Sequence, residues 1–65
     1  MRHENNLKAI RRERGLTQYE LAAKLGTHQT RIWLLEQGYY PPKTWEKQAL
    51  AAILEVEEQE LFPSS

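Results

Sequence analysis

Apolar residues recur along this chain at helical spacing, in five short groups set apart by glycine, proline or polar residues. Leu7 and Ile10 mark the inward face of a helix over residues 5–14, where the aliphatic stem of Arg14 can join them before Gly15 ends it. Leu21, Ala22 and Leu25 mark a second helix over 18–25, closed by Gly26. Ile32 and Leu35 mark a third over 28–37, closed by Gly38. The stretch Tyr39, Tyr40, Pro41, Pro42, Lys43 is a loop, because the prolines lack donors and push the residue before them out of the helical region. A fourth helix starts near Lys43 or Thr44. It carries Trp45, Ala49, Leu50, Ala52, Ile53 and Leu54, too many apolar positions for one narrow stripe, so most of it is expected to be buried. A short fifth helix over 57–62 closes the core with Val56, Leu61 and Phe62.

The junction of the second and third helices carries the most specific signals. Thr17 and Glu20 have the spacing of a capping box, in which the hydroxyl accepts from the Glu20 N–H and the carboxylate accepts from the Thr17 N–H. Leu16 and Leu21 are placed to close over it as a hydrophobic staple. Gly26 supplies the left-handed residue that ends the second helix, and Thr27 can cap the third at once. Two helices crossing steeply after so short a turn leave room only for a small side chain, and Ala22 provides it. The pattern Gln18, Leu21, Ala22, Leu25, Gly26, Ile32, Leu35 resembles the helix-turn-helix of the Cro and lambda-repressor-like (XRE) family. The flanking stretches, LKAIRRERG before it and EQGYYPP with the closing LEVEEQELF after it, resemble the same family. The resemblance implies an all-α, compact five-helix bundle with the third helix in the major groove of DNA. It covers nearly the whole chain, so residues 1–65 read as one domain with its core at about 5–62. Two positions depart from the family pattern: Thr44 stands where an aliphatic residue is usual, and Trp45 is expected to take over some of that volume. Trp33 stands where small or polar residues are usual.

Sixty-five residues bury only about 60% of their unfolded surface, so the core must be small. There is no Cys, which excludes a disulfide frame and a thiolate metal site. His3 and His28 are the only imidazoles, and no nucleophile is paired with a base, so neither a metal nor a catalytic site is expected, nor any cofactor. No run approaches the ~18 apolar residues of a membrane span, and the polar N-terminus does not read as a signal peptide; a cytoplasmic protein is expected. The formal net charge is zero, which at first sight suits nucleic acid poorly. The distribution changes that picture. Residues 1–43 hold eight basic side chains against four acidic, and residues 44–65 hold one against five, so a +4 end faces a −4 end.

On a helical wheel with Ile32 and Leu35 inward, the opposite side of the third helix shows Thr30, Trp33, Leu34 and Gln37, with His28 and Gln29 at its leading turn. A glutamine such as Gln29 can bond an adenine edge bidentately through N6 and N7, and an apolar Leu34 can pack on a thymine methyl. The family match puts Gln29, Thr30 and Leu34 where base contacts fall. His28, Gln29, Thr30, Trp33 and Leu34 are therefore the candidate base readers. Gln18 opens the second helix, at a positive helix end that favours phosphate. Arg31, Tyr39, Tyr40 and Lys43 join it as candidate phosphate contacts. Arg11 and Glu36 fall where the family forms an internal salt bridge and are read as structural.

The leading reading is a sequence-specific DNA-binding transcriptional regulator acting as a repressor, with double-stranded DNA as its partner. One such module covers few base pairs, so a homodimer on a palindromic operator is expected, with half-sites about 34 Å apart. The family pairs largely through its C-terminal region, and association in free solution is expected to be weak or absent. The competing reading is a helix-turn-helix interaction module, such as an antitoxin or adaptor, that binds a protein through Trp33 and Leu34, since clustered exposed apolar groups mark partners.

Overall fold

Five helices make up the fold in the computed structural model, which describes residues 4–63: α1 (Leu7–Glu13), α2 (Gln18–Leu25), α3 (Gln29–Gln37), α4 (Thr44–Leu54) and α5 (Glu58–Leu61). His3 and Arg2 lie outside the described residues. Helix α1 starts two residues later than the spacing suggested. Asn5 Oδ1 accepts from the Leu7 N–H at 3.0 Å, an Asx-type start that the pattern of apolar residues does not reveal.

The capping box forms as expected. Glu20 N donates to Thr17 Oγ1 at 3.0 Å and Thr17 N donates to Glu20 Oε1 at 2.9 Å, and the Thr17 bonds hold the Glu20 carboxyl below its usual pKa. Gly26 takes φ 82°, letting its own N–H and that of Thr27 return to Ala22 O. The N-cap position falls one residue beyond Thr27. Thr27 does not cap α3, whose N-cap is His28 with no side-chain cap bond, so α3 begins at Gln29. The same six-to-one closure ends α4, where Val56 N donates to Ala51 O at 3.0 Å, but the left-handed residue there is Glu55, at φ 60°.

The core gathers Leu7, Leu21, Ala22, Ile32, Leu35, Leu50, Ala51, Leu54, Leu61 and Phe62. Ile10, Leu16, Leu25, Ile53 and Val56 pack around it. Ala22, 2% exposed, sits at the crossing of α2 and α3 as its small volume requires. Helix α4 is less buried than its apolar content suggested. Ala52 faces out and Trp45 is 49% exposed, so Trp45 does not fill the volume left by Thr44. The reason is angular: the inward position in the first turn of α4 belongs to Glu46, and Trp45 lies about 100° round the helix from it. Arg14 is exposed overall, and its Nε reaches across to donate to Leu54 O at 2.7 Å, at the end of α4. The chain's first described segment is tied to its last, through Asn6 N to Leu61 O and Asn6 Nδ2 to Glu60 O, both 2.9 Å.

Candidate nucleic-acid interface

Two polar networks hold α3 in place. The first starts in the core. Arg11 Nε donates to Glu36 Oε2 at 2.6 Å and Arg11 NH1 to Leu16 O at 2.7 Å, with the two charged side chains 9% and 0% exposed. Glu36 Oε1 also accepts from Gln18 Nε2 at 2.9 Å, and Gln18 Oε1 accepts from Gln29 Nε2 at 3.3 Å. The internal salt bridge therefore orients Gln18, and Gln18 in turn orients Gln29. The hydrogen-bond network runs out of the core from Arg11 through Glu36 and Gln18 and ends at the exposed Gln29 amide in the first turn of α3.

The second network ties α3 to α4 and to the loop between them. Arg31 Nε and NH2 donate to the two oxygens of Glu46 at 2.8 and 2.7 Å, a bidentate pair. Glu46 Oε1 also accepts from the Lys43 N–H at 2.8 Å, which is half of a capping box, since the Lys43 ammonium has no acceptor to return. The Arg31 hydrogen bonds hold the Glu46 carboxyl below its usual range and raise Arg31, against the effect of burial on both.

Around these networks lie the expected contact residues. Gln18, Gln29, Thr30 and Trp33 line one groove. His28, Gln29 and Thr30 are exposed, Trp33 is 42% exposed, and Leu34 is half-buried at the far edge of the face. Trp33 leans on Tyr39, ring centroids 5.7 Å apart and planes at 47°. Tyr40 and Lys43 are exposed on the same loop. Arg31 stands apart from the other candidates, because its guanidinium turns toward α4 rather than outward. Two residues escaped the reading of the sequence. Tyr19, 70% exposed beside Gln18, lines an adjoining groove with Ala23, Thr27 and His28; its place one residue into α2 was the available signal. Glu46 is the other, and its signal was the three-residue offset from Lys43 at the start of α4.

A family model for a helix-turn-helix domain matches residues 5–62. The chain belongs to this helix-turn-helix family, of the Cro-like and XRE-like kind. No curated protein matches the chain. Membership places it among DNA-binding regulators in general, in a family that is typically non-enzymatic. In this helix-turn-helix domain α2 and α3, joined through Gly26, are the two helices of the motif. Among the described residues no group of His, Cys, Asp or Glu could hold a metal ion, and no helix is long and apolar enough to cross a membrane.

Proposed function

We propose that the chain is a sequence-specific transcriptional regulator, a repressor, that places α3 in the major groove of a palindromic operator as a homodimer. The observation that supports it best is the Gln18–Gln29 bond at the exposed start of α3, which holds an amide ready for a base edge while its partner stands at a helix N-terminus. In this reading His28, Gln29, Thr30, Trp33 and Leu34 meet the bases. Gln18, Tyr39, Tyr40 and Lys43 meet the phosphates. The dimer assembles on DNA, with weak or no association in free solution, because a single small module gains enough contact only across two half-sites. Binding to a DNA duplex should weaken at least tenfold or so between about 50 and 200 mM salt. Affinity that is flat in salt contradicts the proposal.

One observation favours a second reading, in which Trp33 serves a protein partner: it is a large apolar residue left partly exposed and in tilted contact with a second aromatic, Tyr39. Trp33→Ala decides between the two. Loss of DNA affinity supports the first, whereas unchanged DNA affinity removes Trp33 from the interface.

A further inference from the structure

The loop 39–43 is short, carries two prolines, and holds three of the candidate phosphate contacts, yet its position relative to α3 is not set by the motif's own turn. It is set by Glu46. Glu46 is 2% exposed, and its carboxylate receives both Arg31 hydrogen bonds from α3 and the Lys43 N–H from the last residue of the loop. One buried anion thus joins the reading helix to the end of the loop. On the other end of the same loop, Tyr39 rests against Trp33 of α3. Arg31 is 24% exposed at its side chain, close enough to the surface to have served as a phosphate ligand, but two of its nitrogens are already committed.

We propose that Arg31 and Glu46 form a positioning clamp, which fixes the phosphate-facing loop 39–43 against the reading helix α3, and that Arg31 acts through Glu46 rather than on DNA. The inference rests on the DNA-binding reading above and adds a division of labour to it. A bidentate fork on a buried carboxylate is rigid and directional, as only a guanidinium can make it. A lysine at the same place would supply the charge without the fork. The clamp therefore predicts a sensitivity to geometry at position 31, whereas a phosphate contact would be sensitive mainly to charge.

The test uses the whole chain and a mixed-sequence DNA duplex of about 20 base pairs, long enough for two half-sites one helical turn apart. Affinity is measured against salt for the native protein, Arg31→Lys and Glu46→Gln, each first shown to be folded by circular dichroism. The clamp predicts that both variants bind on the order of tenfold more weakly and that the slope of log affinity against log salt falls by about one, as the Lys43 contact is lost. The Glu46→Gln result is the more demanding, because removing a negative charge should by itself strengthen binding. If Arg31 were a phosphate ligand, Glu46→Gln would release it, binding would tighten and the slope would steepen. Arg31→Lys would then bind like the native chain. Either outcome overturns the clamp. A measurement on the native protein needs no variant: the Arg31 Nε–H resonance should stay in place when duplex is added, while Gln18 and Gln29 shift. Movement of the Arg31 signal with the others overturns the clamp alone, and no movement at Gln18 or Gln29 overturns the DNA-binding reading and the clamp with it.

Discussion

Gln29 is a first-turn residue whose amide is held by Gln18, which is held by Glu36, which is held by Arg11. Such a chain restricts rotamers before any ligand arrives, which lowers the ordering cost of a bidentate base contact. Gln29→Ala should therefore cost about 1–3 kcal/mol of affinity for the preferred duplex and relax selectivity at a single base position, with non-specific binding little changed; competition binding with single-base variants checks it. Glu46 makes a different prediction. Its folded pKa is depressed by the Arg31 hydrogen bonds, so the stability it contributes is fully present above its unfolded pKa of about 4.3 and is lost as pH falls through the lower folded value. Acid unfolding followed by circular dichroism should show a shallower pH dependence in Glu46→Gln over that window. Sequence legibility was uneven at this scale. Arg11 and Glu36 were legible because their roles follow from the family pattern. Arg31 was not, because its partner is a carboxylate fifteen residues away, and a lone arginine on a helix surface gives no sign of which charge it will meet.

The helices were read largely from their ends. The Thr17–Glu20 box and Gly26 fixed α2 to the residue, since each supplies a specific hydrogen bond to a group that would otherwise lack one. Where the signals were ambiguous the boundaries moved. Thr27 closes α2 through its backbone N–H to Ala22 O, and the N-cap of α3 falls at His28, one residue later than the sequence suggested. Helix α4 was the least legible, because an apolar count cannot say which residue of the first turn faces inward when a buried ion pair competes with Trp45 for that place. The shared closure of α2 and α4 yields a paired prediction. At Gly26 an added Cβ meets nothing within 4 Å, so Gly26→Ala should cost about 1–2 kcal/mol through backbone conformation alone. At Glu55 the native side chain already bears that cost, and Glu55→Gly should raise stability by up to about 1 kcal/mol. Thermal or urea unfolding of the two variants should move in opposite directions.

Over the whole molecule, Glu36 joins three helices: it belongs to α3, pairs with Arg11 of α1 and accepts from Gln18 of α2. Arg11→Met would leave that carboxylate buried without its cation. The expected loss is about 3–5 kcal/mol, a large share of the stability of so small a domain, and it should appear as a thermal midpoint lowered by well over 10 °C or so. The same junction orients Gln18 and Gln29, so in the proposed function structure and recognition are linked through one buried acid. Charge is arranged to match, with the basic excess in residues 1–43 and the acidic excess beyond them. What the sequence could not reveal at this scale was the tie between the start of α1 and α5 through Asn6, which depends on contacts more than fifty residues apart. The central proposal, a helix-turn-helix dimer that reads an operator through α3, is tested most directly by selecting bound duplexes from a random-sequence pool at near-physiological salt. The expected result is enrichment of a two-fold symmetric motif with half-sites about 10 base pairs apart. A folded protein that enriches no sequence above the input pool would contradict it.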